Sequence, residues 1–124
     1  MARSLHKISD VAEQCAISTR TLRYYEERGL LASERLPNGR RAYTDAHVAQ
    51  LKTILLLKRC GLSLDEVEQI LTTEDPGERD RRAHWLVSLG ARRLISQIAE
   101  LEANLEEAKA YQQLLHRRTE ISTP

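Results

Sequence analysis

Residues 17–30 read Ile17-Ser18-Thr19-Arg20-Thr21-Leu22-Arg23-Tyr24-Tyr25-Glu26-Glu27-Arg28-Gly29-Leu30. The stretch predicts one short helix. Ser18 or Thr19 can cap the unpaired amides at its start, and Gly29 suits the left-handed turn at its end. With Leu22 turned toward a core, Arg20, Arg23 and Tyr24 cannot all point inward with it. A short helix that offers cations and a phenol to solvent is suited to an anionic partner, and in a small helical protein that partner is most often DNA.

The flanks support this reading. Ile8, Val11 and Ala12 recur at helical spacing, so a first helix is expected over Ser9–Cys15 with Ser9 as its cap. Ala16-Ile17-Ser18 links it to a second helix over about Thr19–Arg28. Helix, tight link, helix is the pattern whose second helix enters a major groove. Pro37-Asn38-Gly39 is a strong turn signal. Residues 34–43 are therefore expected to form a two-stranded hairpin, a wing carrying Arg35, Arg40 and Arg41. Thr44 or Asp45 opens a third helix running to about Cys60, with Leu51, Ile54, Leu55 and Leu57 as core. Gly61 stops it. Ser63 with Glu66 matches a capping box for a fourth helix through Val67, Ile70 and Leu71.

Thr73-Glu74-Asp75-Pro76-Gly77 breaks the pattern. From about Glu78 to Arg118 there is no proline and one glycine, Gly90, where a bend is expected. Leu94, Ile98, Leu101, Leu105, Ala108, Gln112 and Leu115 step by four and three, the a/d seam of a coiled coil. One small domain cannot cover so long a seam, so a partner helix is implied, and a second copy of the chain is its simplest source. Trp85, with Leu86 and Leu89, is expected to pack where this helix meets the DNA-binding part of its own chain or of its partner. The chain thus divides into residues 1–75, a winged helix-turn-helix domain; 76–118, a dimerisation helix; and 119–124, a flexible tail. The fold class is all-α with a small β-hairpin wing.

The composition agrees. Phenylalanine is absent and tryptophan occurs once. Residues 1–60 carry 11 Lys+Arg against 6 Asp+Glu, and residues 61–124 carry 8 against 12, so the net charge of +1 hides a basic first half and an acidic second half. That asymmetry fits a nucleic-acid module followed by a self-associating segment. No apolar run is long enough for a membrane span, and the start lacks the apolar stretch of a signal peptide. Cys15 and Cys60 form no CxxC pair, so free thiols in a reducing cytoplasm are expected. His6, His47, His84 and His116 show no ligand spacing, and no nucleophile triad or phosphate-binding loop appears. Neither a metal, a cofactor nor an enzymatic activity is expected.

Four strings carry a family resemblance. They are Ile8-Ser9-Asp10-Val11-Ala12, the run Thr21 to Leu31, Asn38-Gly39-Arg40-Arg41-Ala42-Tyr43 and Gly61-Leu62-Ser63-Leu64-Asp65-Glu66-Val67. In that order they resemble the MerR family of bacterial transcription regulators over about residues 7–71. The resemblance implies a homodimer joined by an antiparallel coiled coil and bound to a near-palindromic promoter operator. It implies control through bending and untwisting of the DNA, with RNA polymerase affected indirectly. Two departures stand out. Arg40 occupies the wing position where the family usually carries tyrosine, which adds charge and takes away a ring. The sequence also ends soon after the seam, so a short form without an effector domain is expected, and no effector can be named.

The expected DNA contacts are Thr19, Arg20, Arg23, Tyr24 and Tyr25 from the second helix, Arg40, Arg41 and Tyr43 from the wing, and Lys58 at the end of the third helix. An arginine can grip guanine bidentately. Thr19 serves equally as cap or contact, Tyr25 and Tyr43 equally as packing or contact, and Glu26-Glu27 read as a solvated face. Two other functions fit the residues less well. Lys58 and Arg59 beside Cys60 favour a thiolate, so a redox or electrophile sensor through Cys60 is one. An architectural DNA-binding factor without an effector is the other.

Overall fold

The computed structural model describes residues 4–121. Its elements are β1 (Leu5–Lys7), α1 (Ile8–Cys15), α2 (Thr19–Glu27), β2 (Glu34–Arg35), β3 (Arg41–Thr44), α3 (Asp45–Arg59), α4 (Leu64–Leu71) and α5 (Pro76–Ile121).

The local signals set most boundaries. Ser18 Oγ accepts from the Thr21 amide at 3.1 Å, so Ser18 and not Thr19 caps α2. Gly29 takes φ +75°, and the Leu30 amide returns to the Tyr25 carbonyl, closing the helix end. Thr44 opens α3 in a capping box with His47, whose Nδ1 accepts from the Thr44 amide. Ser63 and Glu66 form the expected box at the start of α4.

Two expectations near the N-terminus give way. Ser9 does not cap α1, which begins one residue earlier at Ile8 with Lys7 at the cap position and no side-chain cap. The cause is β1, which the sequence did not reveal. It pairs antiparallel with β3, Leu5 opposite Thr44 and Lys7 opposite Ala42, and runs straight into α1. The wing is therefore part of a three-stranded sheet in the order β1-β3-β2, with β3 in the middle. His6 Nε2 donates to Asp45 Oδ1 at 2.6 Å and ties β1 to the start of α3.

The core joins these pieces. Val11, Leu22, Leu51, Ile54 and Val67 are fully enclosed, with Leu30, Leu31, Leu57 and Ile70 around them. Burying side chains of this size stabilises the fold by about 1.5–3 kcal/mol each.

The long helix reaches this core through its first third only. Leu86 is buried, and Ala83 and Val87 pack beside it. Within its own chain Trp85 does not pack at this junction and is 66% exposed, because it lies about 100° around the helix from Leu86. Gly90 marks no break, since α5 is continuous from Pro76 to Ile121, a length of about 69 Å. Its missing side chain lets the helix backbone meet the carbonyl of Cys60 in the α3–α4 turn. Arg93 then donates to Glu66 at 2.6 and 3.0 Å and to the Gly61 carbonyl at 3.2 Å. The tail expected from Thr119 is helical through Ile121, and residues 122–124 lie outside the described residues.

Candidate nucleic-acid interface

On α2 the core takes Leu22 and Tyr25, which leaves Arg20, Arg23, Tyr24 and Glu27 as one exposed stripe. Arg20 and Arg23 form no ion pair among the described residues, so their guanidinium donors are available. Thr19 stands at the first helical position and is half-buried. The Tyr24 hydroxyl accepts from Arg28 Nη1 at 3.4 Å, and Arg28 also donates to Asp65 and Glu68 of α4. These bonds from Tyr24, Asp65 and Glu68 hold the Arg28 guanidinium more firmly protonated than usual.

The wing tip is a turn over Leu36–Gly39. The Gly39 amide donates to the Leu36 carbonyl at 2.8 Å, and Gly39 takes φ +82°, a conformation open to glycine at little cost. Arg35 Nη1 donates to the Gly39 carbonyl at 2.8 Å and braces the tip. Arg40 projects beyond it, exposed and without an ion pair among the described residues.

Between wing and helices runs a basic groove of about 560 Å³, lined by Lys7, Ile8, Ser9, Arg23, Arg35, Leu36, Asn38, Gly39, Arg40 and Arg41. The uncapped start of α1 opens onto it, so amide donors and a helix dipole face the same space as the cations. Lys7 and Ser9 escaped the sequence reading. Their placement depends on β1, and nothing in their immediate neighbours announces that strand.

Two expected contacts are corrected. Tyr43 is fully buried, and its hydroxyl donates to Glu26 Oε1 at 2.7 Å. Tyr25 is 6% exposed and packs in the core. Neither ring can reach a duplex. Burial pushes both phenols up, helped at Tyr43 by its bond to Glu26 and at Tyr25 by the neighbouring Tyr24.

Glu26 is corrected as well, since it is no solvated face residue. Its side chain is 14% exposed and accepts from Arg41 Nε at 2.7 Å in addition to Tyr43. Burial pushes the Glu26 carboxyl up. Bonds from Tyr43, Ser33 and Arg41, with the Arg41 charge, outweigh it, so the group titrates below its ordinary value. Arg41, expected as a free wing cation, is half-buried in this pair.

Lys58 is exposed in the last turn of α3. Cys60 follows as the cap of that helix, a free cysteine partly buried against the core. Cys15 is also free and partly buried. Among the described residues, no group of three His, Cys, Asp or Glu side chains could hold a metal ion, and no helix is long and apolar enough to cross a membrane.

On α5, the seam residues from Ile98 onward are exposed, with no other described element packed over them. Ile98, Leu101, Leu105 and Leu115 are exposed, Leu101 to 66%, and so are Ala108 and Gln112. Leu94, nearest the domain, is half-buried.

A two-helix unit with a free arginine stripe, a basic wing and a long projecting helix defines the winged helix-turn-helix class of DNA-binding module. Residues 6–74 match the MerR HTH family regulatory protein description, and residues 48–117 match MerR, DNA binding. The chain belongs to the MerR family of DNA-binding transcription regulators. It is 36% identical over 104 residues to the transcriptional activator TipA of Streptomyces coelicolor, a match covering 82% of this chain and 41% of TipA. The chain thus spans well under half the length of that relative. It is 30% identical over 105 residues to the transcriptional regulator CueR of Escherichia coli O157:H7, covering 83% of this chain and 73% of CueR. Among solved structures, it resembles HiNmlR, a MerR family regulator lacking the sensor domain, bound to promoter DNA. That match has 28% identity and a TM-score of 0.68 and covers 98% of each chain.

Proposed function

We propose that the chain acts as a homodimer that binds a near-palindromic promoter operator and controls transcription by distorting it. In this reading residues 1–75 bind DNA and the helix from residue 76 to about 118 joins two copies. Arg20 and Arg23 enter a major groove, and Arg23 also faces the wing groove. Lys7, Arg40, Arg41 and Lys58 hold phosphates, with Thr19 and Tyr24 as lesser contacts. The observation that carries the reading is the pairing of two features on one chain. Arg23, unpaired on the exposed stripe of α2 with Arg20, borders a basic groove, and the apolar seam on α5 is left exposed among the described residues.

The seam supports dimerisation by its energetics. Four large side chains, Ile98, Leu101, Leu105 and Leu115, stand in water at positions that a second helix would cover. An exposed apolar stripe of this length favours association over solvation. Two copies related by a two-fold axis present two recognition helices, which match an inverted repeat. RNA polymerase then feels the protein through the shape of the promoter, and a cytoplasmic location follows from that role. HiNmlR, described as bound to promoter DNA, supports the same assignment for this chain.

The test is a titration of a duplex selected by the protein from random sequence, followed by fluorescence anisotropy between 50 and 200 mM salt. Binding is expected to fall steeply with salt, and each lost phosphate contact should flatten the log–log slope by about one unit. Binding indifferent to salt contradicts the reading.

A further inference from the structure

We propose that Glu26 is the positioning residue that locks the wing to the recognition helix, so that α2 and β3 engage DNA in one fixed register. The inference rests on the DNA-binding reading above and adds to it a residue that does not itself touch DNA.

Glu26 lies on α2 three residues after Arg23, yet its side chain turns away from the exposed stripe toward the sheet. Both of its oxygens are engaged by one strand. Oε2 accepts from Arg41 Nε and Oε1 from Tyr43 Oη, each at 2.7 Å. Positions 41 and 43 alternate along β3, so both side chains leave the same face of the strand. A carboxylate gripped at two points two residues apart opposes both sliding and swivelling of that strand against the helix. One contact alone would leave the swivel free. Because β3 is the central strand, with β1 on one side and β2 on the other, fixing β3 fixes the whole wing.

Charge sharpens the argument. Glu26 is paired with Arg41, which lines a basic groove suited to phosphate together with Arg23 and Arg40. An acid in that place opposes a polyanion. Its contribution to binding is therefore geometric. The pair uses Arg41 Nε, and among the described residues neither terminal nitrogen has a hydrogen-bond acceptor, so Arg41 is aimed as well as held. Tyr43 is fully buried and cannot contact a duplex, which makes it a tether only.

Geometry and charge predict opposite outcomes for Glu26→Gln, which adds one net positive charge. The probes are a duplex enriched by the wild-type protein from random sequence and an unselected random duplex of equal length. If Glu26 positions the wing, E26Q binds the enriched duplex more weakly by on the order of tenfold, the size of one lost well-aligned contact. Its binding to the random duplex holds or rises. If Glu26 is only a counter-charge, E26Q binds both duplexes more tightly, and the proposal is overturned. Tyr43→Phe repeats the test with no change of charge and serves if E26Q does not fold. A lower preference for the enriched duplex supports the tether, and an unchanged preference overturns it. Hydrogen exchange of the residue 41–44 amides in the DNA-free protein should speed up in both variants, and unchanged exchange counts against the lock. A wild-type protein that enriches no sequence overturns the DNA-binding reading itself, an outcome distinct from any failure of the variants.

Discussion

Replacing Gly90 by alanine separates two forces of opposite sign. In a helix interior alanine is favoured over glycine by about 1 kcal/mol, so propensity alone expects a more stable protein. The packing of α5 expects the reverse. A Cβ at position 90 would lie 2.2 Å from the Cys60 carbonyl oxygen and 3.1 Å from Leu62 Cδ1. Ordinary C···O contact is about 3.3 Å or more, so helix and turn must part by roughly 1 Å. The opposing group is backbone and cannot rotate aside. The next residue, Gly61, is held at φ +91°, and a Cβ there would in turn lie 2.7 Å from the Gly90 carbonyl oxygen. Overpacking of this kind costs about 1–3 kcal/mol. Parting the surfaces also strains the bonds from Arg93 to Glu66 and to the Gly61 carbonyl, each charge-assisted and worth about 1.5–3 kcal/mol when intact. Even with partial relaxation, the balance is a net loss of about 2 kcal/mol. Urea unfolding followed by circular dichroism, at fixed protein concentration, reads this directly, and the thermal midpoint should fall by about 8 °C. Ser88→Ala, at an exposed position on the same helix, should stay within about 0.5 kcal/mol of wild type. A Gly90→Ala variant as stable as wild type, or more so, refutes the docking of α5 on the α3–α4 turn.

Three further outcomes follow from the same structure. The bonds from Arg93, with the Ser63 amide, hold the Glu66 carboxyl down at about 2 against an ordinary 4.5, so its stabilisation is complete above about pH 4.5 and fades as pH falls toward 2. Glu66→Gln should be less stable than wild type at pH 7 and equal to it near pH 2; a deficit independent of pH would count against this assignment. Leu101→Asp with Leu105→Asp removes two seam side chains worth about 1.5–3 kcal/mol each when buried, and sedimentation should then report the 14.2 kDa monomer, whereas an unchanged dimer contradicts the seam. Arg20→Ala should relax preference at one base position by about 1–3 kcal/mol, while Lys58→Ala weakens all sequences alike; sequencing of selected duplexes for both variants distinguishes them.

What the sequence revealed was mostly what is written within one turn of helix. The Ser63–Glu66 box and the Gly39 turn have their signals within three or four residues, and both formed as expected. The exposed face of α2 was likewise legible, because Leu22 fixes which way the arginines turn. What escaped depends on distant partners. β1 has three residues and exists through pairing with β3 almost forty positions away, and with it went the start of α1 and the place of Lys7. Tyr43 and Arg41 looked like surface contacts because the sequence does not show that Glu26 reaches across to hold them. At Gly90 the sequence shows only a glycine within a helix, and the carbonyl of Cys60 that a side chain there would meet lies thirty residues earlier.

The central claim is that two copies of α2, with their wings, read DNA as a symmetric pair. Selection of bound duplexes from a random-sequence pool, followed by sequencing, tests it most directly. The account predicts enrichment of an inverted repeat with equal protection of both halves in footprinting. Enrichment of one asymmetric half-site, or of no sequence at all, would contradict it.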